Sequence, residues 1–132
     1  MQLRTSLLGL TLAAAILPGH ARAQVTTENF LLRNTGDLVA LCSATSSDPM
    51  AVQAVNFCNG FAVGVVRVLQ KVDAAEAPHR ALFCLPKKRP SRSESVAEFV
   101  RWANADPTHE AMPAEDGLAS FLAAIFPCPP GQ

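Results

Sequence analysis

The sequence has no tyrosine, a single tryptophan (Trp102) and only three histidines. It contains no C-x-x-C redox pair and no C-x-x-C-H haem attachment. There is no G-x-S-x-G nucleophile elbow and no glycine-rich phosphate loop. Glu115 and Asp116 are neighbours, but they read as charge at the start of a helix, where the dipole favours carboxylates, rather than as an acid/base pair. His79 and His109 fall in expected loops, where a histidine is ordinarily just solvated. These absences remove the usual routes to catalysis and to cofactor binding, so neither an enzyme nor a cofactor is expected. Charge is also balanced, with 11 Lys and Arg against 11 Asp and Glu. That excludes nucleic acid as the principal partner. No stretch alternates apolar and polar residues with period two, and no internal repeat is visible, so sheets and solenoids are not expected.

Four cysteines, Cys42, Cys58, Cys84 and Cys128, are present, and the reading of the N-terminus gives them their meaning. Arg4 precedes an apolar run from Leu7 to Leu17, Pro18-Gly19 breaks it, and Ala21-Arg22-Ala23 fits the small-x-small pattern of a signal-peptide cleavage site. The expectation is a signal peptide over residues 1–23, cleavage after Ala23, and export to the periplasm; an N-terminal membrane anchor is the alternative. No later segment looks apolar enough to span a bilayer, and no stable membrane insertion is expected. Loss of Arg4 and Arg22 leaves 9 basic and 11 acidic side chains in residues 24–132, which are read as one domain. An even number of cysteines in an exported chain of this size reads as two disulfides. The intervals of 15, 25 and 43 residues between them do not fit a zinc site, which usually shows a close cysteine pair.

Between the cysteines the dominant period is helical. The longest element is expected from Asp48 to Lys71, with Asp48 as cap and Pro49 in the first helical position. Ala54, Phe57, Cys58, Phe61, Val65 and Val68 form its apolar stripe, and Gly60 and Gly64 share one side, where they would admit a close neighbour. A short helix over residues 37–42 should bury Leu38 and Leu41, after a turn at Asn34-Thr35-Gly36. Ser91-x-x-Glu94 is a capping box and predicts a helix to about Ala103 that buries Val96, Phe99, Val100 and Ala103. Asp106-Pro107 can start one further turn. The last helix should run from about Pro113 to Phe126 and bury Leu118, Phe121, Leu122 and Ile125. The predicted fold is all-α: a small disulfide-stapled bundle of four to five helices.

Four cysteines allow three pairings, and the sequence does not choose among them. Cys42 with Cys58 would tie neighbouring helices. Cys42 with Cys84 and Cys58 with Cys128 would instead give each segment flanking the long helix a partner and lock the last helix to it; this arrangement is the preferred expectation. The one strong charge feature is Lys87, Lys88, Arg89 and Arg92, in an expected loop that also holds Pro86 and Pro90. Such a semi-rigid basic loop is a candidate contact for an acidic partner surface, because less ordering is lost on binding.

Taken together, C-N-G-F-x-x-G at Cys58 to Gly64, F-C-L-P at Phe83 to Pro86 and F-P-C at Phe126 to Cys128 resemble the Rap/Tai family. These are periplasmic, mostly helical immunity proteins encoded beside amidase effectors of the type VI secretion system. The resemblance implies a binder that plugs the active-site cleft of a peptidoglycan amidase, typically as a homodimer. Cys58, Gly60, Phe61, Gly64, Cys84, Pro86 and Cys128 match the family framework; the effector-contacting loop varies within the family and does not transfer. The second reading is an HdeA-like acid-stress protein, which is also small, helical, periplasmic and disulfide-bonded.

Overall fold

The computed structural model describes residues 24–76 and 81–129; the signal-peptide reading of residues 1–23 and the reading of His79 lie outside them. In the described residues five α-helices follow a 3-10 turn at Thr27–Leu31: α1 (Thr35–Cys42), α2 (Ala51–Glu76), α3 (Arg92–Asn104), α4 (Pro107–Ala111) and α5 (Ala114–Ile125). Among the described residues there is no strand. The protein is thus a small all-α bundle with two disulfides.

Helix starts follow the local signals closely. Asn34, expected in a turn, is the cap of α1 and accepts from Asp37 N–H at 2.9 Å. Asp48 accepts from Met50 N–H at 2.9 Å through Oδ1, and its other oxygen accepts from Val25 N–H at 2.7 Å. One carboxylate therefore holds the turn at Pro49–Met50 ahead of α2, which starts at Ala51 and not at the expected Pro49, and also tethers the N-terminal segment. Ser91 and Glu94 form the reciprocal capping box of α3. Asp106 caps α4, with Pro107 in the first turn. Leu32 closes the 3-10 turn at φ 47°, a left-handed conformation that costs a leucine roughly 1–2 kcal/mol. Its side chain packs against both apolar clusters of the core, which offsets that cost.

The main cluster joins Leu38 and Val39 of α1, Phe99 and Ala103 of α3, and Leu118, Phe121 and Leu122 of α5, with Phe83 from the loop before α3. A second cluster joins Val25, Leu41, Ala54 and Cys58 beneath the N-terminal segment. The small helix α1 sits between them and packs on every other helix. Thr35 at its start is fully buried, and its hydroxyl and N–H both donate to the chain at Met112 and Pro113, just ahead of α5.

The expected stripe on α2 is only partly inside. Ala54 and Cys58 are buried and Phe61 and Val65 half-buried, but Phe57 and Val68 are exposed. The reason is the side they occupy: Ala62, Val65, Val66 and Leu69 pack against the main cluster, while Phe57 and Val68 lie at the edge of that stripe, where Phe57 meets Phe30 edge-to-face at 5.4 Å. Length adds to this. At about 1.5 Å per residue, α2 extends about 39 Å, while α5, against which it packs in the main cluster, reaches about 18 Å. Beyond Leu69, α2 has little to pack on. Gly60 and Gly64 do not admit a neighbouring segment of the chain: nothing lies within 4 Å of the position a Cβ would take at either. The expectation that no segment after the N-terminal run could span a membrane also needs correction. By length and composition alone, Ala51–Ala75 is long and apolar enough to cross one. Gln53, Asn56 and Asn59 interrupt its apolar run, and here one flank of it is packed against α1 and α5.

The preferred disulfide pairing is overturned. Cys42 is bonded to Cys58 and Cys84 to Cys128, with Cα separations of 5.2 and 4.7 Å. The short connection after α1 folds it back on α2, so the last residue of α1 meets the middle of α2 beside Leu41 and Ala54. Cys84 lies beside the chain leaving α5, where its N–H donates to Phe126 C=O at 2.8 Å. Each disulfide thus reinforces a contact that packing and hydrogen bonding already make, and neither joins the last helix to α2.

Candidate partner-binding surface

Among the described residues, no group of three or more His, Cys, Asp or Glu is placed to hold a metal ion. All four cysteines are in disulfides, so no thiol is free to act as a nucleophile. His109 is not a solvated loop residue as its sequence context suggests. It lies in α4, half-buried, with its ring stacked on Trp102 at a centroid distance of 3.8 Å and 7° between planes. Its Nδ1–H donates to Trp102 C=O at 2.9 Å, since a carbonyl can only accept. The histidine is thereby occupied in fastening α4 to α3.

The carboxylates at helix starts are occupied in the same way. Hydrogen bonds from the side chain and then the backbone of Ser91 hold Glu94 below the ordinary glutamate pKa. Asp106 is held below the ordinary aspartate value, first by Thr108 N–H and then by the Thr108 hydroxyl, with the charge of His109 a smaller cause. Each group stabilises a cap in its ionised form. Asp48 borders a hollow lined also by Gln24, Val39 and Ser43, but both of its oxygens are taken by Val25 and Met50 N–H groups.

The surface features left over concern charge and apolar area. Lys87, Lys88, Arg89 and Arg92 are all exposed, as their sequence predicts. The structure divides them. Arg89 and Arg92 border a groove of about 300 Å³ between α2 and the Leu85–Pro90 segment, while Lys88 lies on a second cleft with Glu94 and Glu98, which Arg89 also borders. Lys87 borders neither of these two cavities. Across the groove stands Arg67 of α2, a cation that sequence reasoning passed over. Its signal was there: a single positive charge interrupting the apolar run of the long helix, on the same flank as Val63, Val66 and Gln70.

The walls of this groove are Val63, Val66, Leu85, Val96 and Phe126, with Phe121 and Leu122 of the core at its base. Val96 and Val100, expected inside, are half-exposed because they face open grooves. Of the scaffold residues singled out in the sequence, Phe61 packs against the main cluster, while Gly60 and Gly64 lie on the exposed side of α2. Pro86 begins the exposed basic segment.

No curated protein and no solved structure matches this chain. A family model does match, over residues 34–128, a span that contains both disulfides and all five helices. The chain belongs to the family of Rap1a immunity proteins.

Proposed function

We propose that this protein is a periplasmic immunity protein that binds and blocks a peptidoglycan amidase effector of the type VI secretion system. The family match over residues 34–128 carries this reading, because membership implies a protein effector as partner. The amidase comes from the resemblance of the Cys58–Gly64, Phe83–Pro86 and Phe126–Cys128 motifs to the Rap/Tai proteins. The periplasm comes from the signal-peptide pattern over residues 1–23. The action is steric: the protein occupies the effector's cleft and contributes no reacting group. Exposed Arg89 and Arg92, and the lysines beside them, supply a positive contact surface. Two copies pair through the outer side of α2, where Gly60 and Gly64 leave the backbone open to approach. Family membership sets this reading ahead of an acid-stress role.

The deciding experiment mixes the exported chain with an amidase encoded beside it and measures peptidoglycan cleavage. Stoichiometric complex formation and loss of cleavage are expected. An amidase that is neither bound nor slowed overturns the reading. N-terminal sequencing of the exported protein should begin at Gln24, and light scattering should give twice the mass of one chain.

A further inference from the structure

Helix α3 packs chiefly on α1, α4 and α5; toward α2 its Val96 reaches the cluster of Ala54 and Cys58, and two grooves open between these helices on either side of that contact. The one bordered by Arg67, Arg89 and Arg92 meets a second of about 770 Å³, and the two share Asn59, Arg92 and Val96. They form one trough along α2 from Val55 to Gln70, which at 1.5 Å per residue is about 22 Å, or four helical turns. Its walls are mostly apolar, with Ser43, Thr45, Asn59 and Ser93 among them at the wider end, and its charged residues are all of one sign. Arg67, Arg89, Arg92 and Arg101 line it, and no Asp or Glu does. Arg101 is paired with Glu98 at 3.3 Å. Among the described residues, no carboxylate lies within ion-pairing distance of Arg67, Arg89 or Arg92.

An apolar trough of this length with unpaired arginines along one end is complementary to a helix that has an apolar stripe and a flanking row of carboxylates. Apolar side chains at i, i+3, i+4 and i+7 would lie against Val63, Val96 and Phe126. Carboxylates beside them would meet the guanidinium groups, whose planar donors suit that geometry. A basic helix would meet only repulsion there. We infer that the trough between α2 and α3 is the seat for an acidic amphipathic helix of the protein partner. This deepens the effector-binding reading and rests on it for the identity of that partner.

The probe is a fluorescein-labelled peptide of about 18 residues with leucines at i, i+3, i+4 and i+7 and glutamates flanking them; its control carries lysine for each glutamate. Binding to the exported chain, with both disulfides formed, is read by anisotropy. The acidic peptide should bind at least about tenfold more tightly than the basic one and weaken as salt rises. R67E, R89E and R92E should each weaken it several-fold, while K71E, a charge change on α2 outside the trough, should not. V63W fills the trough without touching the core, since Val63 lines the groove but is not packed against either cluster. It should lower affinity about tenfold even at high salt. Circular dichroism and melting temperature must match the parent for each variant compared; V63W and the three charge reversals give four independent routes.

Equal binding of the two peptides, no binding, or binding indifferent to all four variants would overturn the inference. The same variants mixed with the effector separate it from the reading it rests on. If the effector binds the parent and every variant alike, the trough is not the seat, and the immunity reading stands. If the acidic peptide binds with the expected dependence but no amidase does, the seat stands, and the choice of an amidase as partner fails.

Discussion

Gly117 of α5 lies directly against the buried side chain of Thr35 at the start of α1. A Cβ built on Gly117 would collide with the Thr35 hydroxyl and come within 2.8 Å of its Cγ2. Thr35 cannot swing away, because its hydroxyl donates to the carbonyls of Met112 and Pro113 and its N–H donates to Met112 C=O at 2.7 Å. The contact that sets α1 on α5 therefore requires a residue with no side chain. Gly60 and Gly64, by contrast, have open space where their side chains would be.

Replacing these glycines with alanine should have opposite effects. G60A and G64A gain helix propensity, about 1 kcal/mol each, with nothing to strike. G117A gains the same propensity but forces Thr35 and Gly117 apart, at a cost of roughly 1–3 kcal/mol from overpacking. Thermal denaturation should show melting temperatures above the parent for the first two and at or below it for G117A. A companion T35S/G117A pair, which removes the Thr35 methyl, should recover part of the loss. If two copies do pair through the outer side of α2, G60A and G64A should also lower the dimer fraction while stabilising each chain.

This contrast shows where the sequence was readable. The inward positions Leu38, Leu41, Phe99, Ala103, Leu118, Phe121 and Leu122 follow from helical periodicity, because amphipathic spacing is written locally. Caps at Ser91 and Asp106 are legible for the same reason, since each involves residues two or three apart. Which glycine matters is not local. Gly60 and Gly64 attract attention by their spacing, yet the close approach is at Gly117, across 82 positions from Thr35. The disulfide pairing and the place of Arg67 at the trough fail to show for the same reason: each depends on which helices become neighbours. Only the family motifs reached across that distance, and they identified the relatives without supplying the geometry.

The two disulfides should differ in worth and in what they hold. Cys42–Cys58 spans 16 positions and Cys84–Cys128 spans 44. On chain entropy alone the first contributes about 3 kcal/mol and the second about 4 kcal/mol. The C42A/C58A pair should therefore lose slightly less stability than C84A/C128A in urea denaturation. Peptide mapping under non-reducing conditions should recover Cys42 joined to Cys58 and Cys84 joined to Cys128. Recovery of a Cys42–Cys84 peptide would contradict the fold, because Cys84 is fixed beside Phe126 by its backbone hydrogen bond.

Asp48 performs two tasks with one carboxylate, and substitutions can separate them. D48A removes the acceptor that holds the turn into α2 and the tether to Val25, so a loss of about 1–2 kcal/mol is expected. D48N keeps one oxygen, which can still accept from Met50 N–H, but turns an amide nitrogen toward Val25 N–H. Stability should fall less than in D48A, while amide exchange at Val25 rises as much in D48N as in D48A. Equal exchange in D48N and the parent would show that the tether contributes nothing to holding the N-terminal segment.

The acid side of the stability profile should be shallow, and it distinguishes an immunity protein from an acid-activated chaperone. Glu94 and Asp106 have folded pKa values below their ordinary ones, so each contributes stability while the pH is above its unfolded value. That contribution is lost as the pH falls through the lowered folded values, and none of it is lost on the alkaline side. Both groups are exposed and act through single caps, at the starts of α3 and α4, so protonation frays two helix ends and leaves the two apolar clusters and both disulfides in place. Denaturation across the carboxylate range should show a modest fall in stability, reduced in E94Q and further reduced in E94Q/D106N. Helical circular dichroism should persist near pH 3. Wholesale loss of helix there, with protection of other proteins from aggregation, would favour the acid-stress reading and require carboxylates other than these two to hold the bundle together.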